Sequence, residues 1–278
     1  MTSALFPPAI LQRLSQCGKL AILTGAGISA ESGIATFRGV GGQWNNVDPM
    51  KLAILSRNLK NEDKGGLDHS DEPLTTSIEN LSTLEAFQKD PKYVWEWYEA
   101  RRRQVAAAEP NRGHEVLAWM EEFFPQVALI TQNVDRLHQR AGSRRPIELH
   151  GSLWMVRCMN GCGEWEDRHE LVNLPPKCPQ CGALLRPGVV WFGEGLPQDA
   201  WEQAEEATRT CDAFLVVGTS ALVYPAAGLP ESALRRDKLV IEINPEETAL
   251  SPRVTLSVRS KAGEALEWLR ESLLQQTS

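Results

Sequence analysis

The sequence predicts an α/β protein with a mostly parallel sheet covered on both faces, carrying a small cysteine-bearing module. Three observations predict it. Short apolar runs alternate with longer helix-like segments. The first run ends in a glycine loop, Gly25-Ala26-Gly27-Ile28-Ser29-Ala30. Four cysteines stand in two tight pairs, Cys158/Cys162 and Cys178/Cys181.

Taken in order, Pro8 to Ser15 reads as a helix, and Lys19 to Leu23 as a strand that ends in Thr24-Gly25. Later strands are expected at Val127 to Ile130, Ala213 to Val217 and Leu239 to Ile243, each followed by a polar or glycine-bearing loop. Between them lie expected helices at Pro91 to Ala108, Arg112 to Phe123, Gln198 to Thr208, Pro225 to Arg236 and Lys261 to Leu274. The β-α-β rhythm implies ligands at the carboxyl ends of the strands. Val47 to Ser82 breaks that rhythm, and its polar stretch Asn58 to Glu79 reads as a surface loop or partly disordered insert.

Composition narrows the class. A chain of 278 residues with 42% hydrophobic content buries a full core, and a net charge of −7 provides no basic footprint for nucleic acid. No apolar run approaches the roughly 20 residues that span a membrane. Met1 to Leu20 lacks the basic start and long apolar stretch of an export signal, so a cytoplasmic protein is expected. The paired cysteine spacing then favours metal over disulfides, leaving Cys17 and Cys211 as reduced or buried thiols.

The glycine loop satisfies the relaxed dinucleotide fingerprint. Gly25 allows a tight turn, Gly27 admits a pyrophosphate, Ala30 permits close packing and Ser29 adds a hydroxyl. Glycine turns after strands are common without nucleotide, and no acidic residue closes a second strand about 20 residues on, which disfavours a plain dehydrogenase.

The cysteine cluster is the more specific signal. Cys158-x3-Cys162 and Cys178-x2-Cys181 fit four thiolates on one structural zinc, with Gly161, Gly163 and Gly182 suited to the ligand-bearing turns. Four thiolates fill the shell, so His169 is expected to be an exposed residue and not a ligand. Further polar groups fall at expected strand ends: Thr131-Gln132-Asn133-Val134-Asp135, Glu148-Leu149-His150-Gly151, Gly218-Thr219-Ser220 and Ile243-Asn244. A histidine on that rim titrates near neutral pH and can serve as a general base, although a lone histidine is more often structural.

Together these stretches resemble the sirtuins, the NAD-dependent protein deacylases. The resemblance runs through Gly25 to Ser29, Gly33 to Gly39 with Phe37-Arg38, Thr131 to Asp135, His150-Gly151-Ser152, the cysteine pairs, Val190-Trp191-Phe192-Gly193-Glu194, Gly218-Thr219-Ser220 and Ile243-Asn244, in the family's order. It implies a Rossmann-like NAD domain (18–39, 127–151 and 188–269), a helical insert (40–126, containing the polar 58–79) and a zinc ribbon (152–187). NAD and an acyl-lysine peptide would enter the cleft between the large and small domains. By the same resemblance, acyl oxygen attacks the nicotinamide ribose carbon, nicotinamide leaves, and His150 deprotonates a ribose hydroxyl. Asn133 and Asp135 would hold the nicotinamide end, with Phe37 and Arg38 gating it. Gly25, Ala26, Gly27, Ser29, Gln132, Gly218, Thr219, Ser220, Asn244, Lys261 and Ala262 complete the implied cofactor contacts. Val190, Phe192, Gly193 and Glu194 would pair with the substrate backbone.

Tyr98 and Arg101 lie one helical turn apart in Trp95-Glu96-Trp97-Tyr98-Glu99-Ala100-Arg101 and offer donors to one carboxylate. This resembles the Tyr-x-x-Arg pattern of sirtuins that accept succinyl, malonyl or glutaryl lysine; the bland alternative is a core tyrosine beside a solvated arginine face. Acyl-lysine proteins are the expected partners and a monomer the expected state, with no nucleic acid or membrane. Mono-ADP-ribosyl transfer or NAD hydrolysis on the same scaffold, and a non-enzymatic zinc-ribbon binding protein, are the rival readings.

Overall fold

The computed structural model describes residues 5–36 and 81–276. Phe37, Arg38, Gly39 and the 58–79 insert lie outside the described residues. The described chain forms two units, one from 5–36, 108–150 and 196–276, the other from 81–107 and 151–195.

The first unit contains helix α1 (Pro8–Ser15), strand β1 (Lys19–Thr24) and a 3₁₀ segment, Ala26–Ser32. Strand β2 (Gln126–Thr131) and the two-residue β3 (Ile147–Glu148) follow, then β7 (Ala213–Val217), β8 (Leu239–Ile243) and β9 (Leu256–Val258). All six strands are parallel in the order β3-β2-β1-β7-β8-β9. From β1 the chain therefore builds outward on one side through β2 and β3, then on the other through β7 to β9. That reversal opens a crevice at the carboxyl ends of β1 and β7, where α/β sheets take their ligands.

Both faces are covered, as the near-continuous apolar strands require. Leu20 and Ile22 of β1, Leu215 and Val217 of β7, and Ile241 and Ile243 of β8 share one core with Leu11 and Leu14 of α1. That core also takes Val116, Leu117 and Met120 of helix α4 (Arg112–Phe123) and Leu266, Leu269 and Leu273 of helix α8 (Ala262–Gln276). Ala21, Leu23, Phe214, Val216 and Val240 point the other way, against Ala204 of helix α6 (Gln198–Thr210) and Leu229 and Ala233 of helix α7 (Gly228–Leu234). The alternation along β1 is the period of two of an extended strand.

Two boundaries differ from the sequence reading. Helix α4 lies in the first unit and not with the 40–126 insert, because its apolar face completes the sheet core. Helix α7 begins at Gly228, three residues after Pro225, because the Ala227 N–H turns back to Val223 O and the Gly228 N–H to Pro225 O before the helix starts. The thiols of Cys17 and Cys211 are free and buried, as expected.

The second unit holds helix α2 (Leu84–Lys89), helix α3 (Pro91–Ala107) and an antiparallel sheet, β5-β4-β6, built from β4 (Gly151–Cys158), β5 (Glu164–Glu166) and β6 (Leu185–Val189). Helix α2 starts on Thr83, whose hydroxyl accepts from the Ala86 N–H at 3.2 Å. Helix α3 docks through Trp95, fully buried, whose indole donates to Leu185 O at 2.7 Å. Burying a side chain of this size is worth roughly 1.5–3 kcal/mol or more, and its one donor is satisfied. A short remaining helix, α5 (Leu137–Arg140), belongs to the first unit.

Candidate active site and metal centre

The loops after β1 and β7 meet at the crevice. A Cβ on Gly27 would stand 2.7 Å from the Gly218 Cα and carbonyl oxygen, and one on Gly218 would stand 2.5 Å from the Ile28 nitrogen. The two backbones touch only because both residues lack side chains. Gly27 N–H donates to Gly218 O at 2.7 Å, and Gly25 N–H to Val217 O at 3.1 Å. Gly27 thus earns its place first by loop-on-loop contact. Ala30 is exposed and does not provide the close packing expected of it, because Ala26–Ser32 winds as a 3₁₀ segment.

Beneath this crevice lies a buried hydrogen-bond network. Ser29 donates to Asp135 Oδ2 at 2.7 Å and accepts from Asn133 Nδ2 at 3.2 Å. The other Asp135 oxygen accepts from the Leu137 N–H at 2.9 Å, which starts α5. The Asn133 N–H donates to Thr131 Oγ1 at 3.0 Å. Ser29, Asn133 and Asp135 are all buried.

Two histidines set the direction of this network, and the sequence reading assigned neither a role. His114 Nδ1 accepts from the Asn111 N–H at 3.2 Å, so its proton sits on Nε2, 3.4 Å from Ser29 Oγ. Thr24 donates to Thr131 Oγ1 at 2.9 Å, so its oxygen accepts from the Nε2–H of His138 at 2.9 Å. Burial pushes His114 down to about 4 and His138 well below the ordinary value. Both stay neutral. The sequence signal for His114 is its place at N3 of the capping box opened by Asn111, whose amide also donates to Ile28 O at 2.7 Å.

His150 follows β3 and is half-buried. Its Nδ1 lies 3.0 Å from Gln132 O. A carbonyl only accepts, so Nδ1 carries the proton and Nε2 keeps its lone pair. Burial lowers the pKa, and the bond to Gln132 pulls it back in part. Gln132 in turn donates from Nε2 to Thr219 Oγ1 at 3.0 Å.

The remaining expected cofactor residues of this unit gather at neighbouring strand ends. Asn244 Nδ2 donates to Thr219 O at 2.9 Å, and Ser220 is half-buried beside it in sequence. Ala26 is half-buried in the 3₁₀ segment. Ala262 is buried at the start of α8, Lys261 before it is exposed, and Glu31 accepts from the Gly263 N–H at 2.7 Å. That helix N-terminus therefore already holds a carboxylate.

In the second unit, Tyr98 is 3% exposed and its hydroxyl accepts from Trp191 Nε1 at 2.9 Å, with Ser82 Oγ at 3.2 Å. Burial raises its pKa, while Ser82, Arg101 and Trp191 lower it. Arg101 is half-buried, its guanidinium 4.9 Å from the Trp97 ring centroid. Val190 is half-buried and Phe192 is 51% exposed. Two amides of the strip expected to pair with substrate are used within the unit: Phe192 N–H donates to Ser82 O at 2.8 Å and Glu194 N–H to Trp191 O at 3.0 Å. Gly193 sits between them with φ 87°. The Glu194 carboxylate is held by Arg186 and by the Trp191 N–H at 2.8 Å, which lower its pKa against the opposing effect of burial.

Cys158, Cys162, Cys178 and Cys181 bring their sulfurs within 4.8 Å of one another. Cys158 and Cys181 Sγ are 3.6 Å apart. Tetrahedral zinc with bonds of about 2.3 Å separates its sulfurs by roughly 3.8 Å, so the donor set fits the ion in kind and spacing. The turns fit too, since Gly161, Gly163 and Gly182 have φ of 77°, 135° and 74°. Hydrogen bonds from the Cys162 and Asn160 amides pull the Cys158 thiol down to about 6. His169 is 94% exposed and outside the cluster, as expected.

By topology the first unit is a doubly wound, Rossmann-like α/β domain. A model of the Sir2 family matches residues 74–225. An NAD-dependent protein deacylase of Aquifex aeolicus is 49% identical over 255 residues, 90% of this chain and 94% of that protein. NAD-dependent protein deacylase 1 of Archaeoglobus fulgidus is 44% identical over 262 residues, 94% of this chain and 95% of that one. Among solved structures, a Sir2 homologue in complex with NAD aligns at TM-score 0.82 and 42% identity, covering 98% of this chain and 96% of that chain. A Sir2 complex with a p53 peptide and NAD⁺ aligns at TM-score 0.75 and 29% identity, covering 97% and 98%. The chain belongs to the Sir2 family, the sirtuins. No helix of the described residues is long and apolar enough to cross a membrane.

Proposed function

We propose that this chain is an NAD-dependent protein-lysine deacylase in which His150 is the general base. The observation that carries the reading is the fixed tautomer of His150: Nδ1–H is tied to Gln132 O, so Nε2 is a neutral base at the rim of the crevice. When bound, NAD supplies an electrophilic ribose carbon and a leaving nicotinamide. Gly25, Gly27 and Gly218 let the backbone approach a pyrophosphate, and Gln132, Thr219, Ser220 and Asn244 present hydroxyl and amide groups to riboses. Ser29, Asn133 and Asp135 hold the nicotinamide end in a network whose donors are directed by His114 and His138. His150 Nε2 takes the proton of a ribose hydroxyl. The four thiolates hold zinc as a structural staple of the second unit and take no part in proton transfer.

The acyl group we propose is acidic, with acetyl as a second substrate. Trp191 only donates, so the Tyr98 oxygen accepts from it, and Ser82 Oγ at 3.2 Å is the other partner of the hydroxyl. Arg101 stands one helical turn on from Tyr98 in α3. A carboxylate-tipped acyl chain suits that pair. The test is kcat/KM for one peptide carrying acetyl, malonyl, succinyl or glutaryl lysine, with the products identified. O-acyl-ADP-ribose with an acidic preference supports the reading. Free ADP-ribose or an ADP-ribosylated protein as main product would favour NAD hydrolysis or ADP-ribosyl transfer.

A further inference from the structure

Strand β8 carries an acidic side chain in an otherwise apolar run. Glu242 is 0% exposed and pairs in register with Val216 of β7 and Ser257 of β9. A carboxylate in such a place is costly unless its oxygens are fully engaged. Here they are. Ser251 donates to Oε2 at 2.6 Å, Ser257 donates to the same oxygen at 2.8 Å, and Thr248 donates to Oε1. The Arg259 guanidinium stands 3.6 Å away.

These donors come from the loop after β8, from β9 and from the residue just beyond it, so one carboxylate gathers the whole 248–259 segment. The same arginine reaches toward the crevice. Arg259 Nη1 donates to Glu246 O at 2.6 Å, the Glu246 N–H donates to Asn244 Oδ1 at 3.1 Å, and Asn244 Nδ2 donates to Thr219 O at 2.9 Å. With its Oδ1 and Nδ2 so engaged, the Asn244 amide has one orientation, leaving one further lone pair and one further N–H for a ligand. A packed aliphatic residue at 242 would suit the sheet equally well. The carboxylate is explained by the hydroxyls and the arginine it holds in place.

We propose that Glu242 is a positioning residue of the NAD site, acting through Arg259 and the Thr248–Ser251–Ser257 hydroxyls to set Asn244 and Thr219. The proposal rests on the reading of those two residues as cofactor contacts. It is tested with Glu242→Gln and Arg259→Met in the full-length, zinc-loaded protein, measuring ADP-ribose affinity by calorimetry and exchange of the Glu246 amide. Both variants should bind ADP-ribose at least about fivefold more weakly, the loss of an ordered hydrogen-bond link. KM for NAD should rise in step while kcat at saturating NAD stays within about twofold, the signature of lost ground-state binding. The Glu246 amide should exchange faster. Unchanged affinity in both variants, or a fall in kcat at unchanged affinity, overturns the proposal alone. A wild-type protein that does not bind ADP-ribose removes the NAD reading and the proposal with it. Should Glu242→Gln fail to fold, Arg259→Met, at a partly exposed side chain, carries the test.

Discussion

His114 and His138 meet edge to face under the crevice, their ring centroids 4.9 Å apart. Each donates from Nε2, one to Ser29 and the other to Thr24. Both are held neutral by burial, so the folded protein resists taking protons that the unfolded chain accepts near 6.5. For His114 this stability is therefore whole above about pH 6.5 and falls as the pH drops from there toward about 4, and His138 acts in the same direction. For His114 the loss approaches ~3 kcal/mol at the bottom of that window. Denaturant midpoints between pH 7.5 and 4.5 should show it, with a slope shallower by about one proton in His114→Gln. Zinc loss at low pH is common to both proteins and cancels in the comparison. Parallel curves would mean that His114 titrates in the folded state as it does in the unfolded one.

The four-thiol centre predicts one zinc per chain. Cys178 is buried and shares the cluster, so Cys178→Ser should release the metal and destabilise the second unit without altering the chemistry selectively. Metal analysis with thermal melting checks this. A protein purified without zinc, or a zinc-free variant with an unchanged melt, would go against a structural ion.

Arg101 governs acyl choice if the Tyr98 pair receives a carboxylate. Charge-assisted hydrogen bonds are worth roughly 1.5–3 kcal/mol, so Arg101→Met should lower kcat/KM for succinyl peptide about ten- to a hundredfold. Acetyl lysine has no carboxylate, and its kcat/KM should stay level or rise. Equal losses on both peptides would assign Arg101 to α3 and its Trp97 contact instead.

Much of this molecule was legible from sequence where one force dominates. Ala213–Val217 is a continuous apolar run and Leu239–Ile243 an apolar run broken only by Glu242, each closed by a polar or glycine-bearing loop, and both are strands with those bounds. Cysteine spacing revealed the thiol cluster because metal ligation tolerates few alternatives. What stayed hidden depends on partners distant in the chain. In sequence Glu242 is a lone acidic residue in an apolar strand, and its place is explained only when the hydroxyls at 248, 251 and 257 are set around it. His138 gives no periodic signal, since its partner Thr24 lies 114 positions away. Helix α4 follows α3 after only a short link, and its contact with the sheet core is what assigns it to the first unit. The Gly27 requirement likewise belongs to Gly218, brought over by β7.

The central claim is that His150 Nε2 takes the proton that drives turnover, and it is tested most directly by His150→Ala assayed for ADP-ribose binding, zinc content and deacylation side by side. Binding and zinc should be close to wild type, while kcat falls by at least about a hundredfold, the usual contribution of a general base. In the wild type, burial lowers the His150 pKa, so the acid limb of the kcat/KM profile should fall below the ordinary 6.5 and vanish in the variant. A folded, zinc-loaded His150→Ala protein that turns over near the wild-type rate would contradict the account.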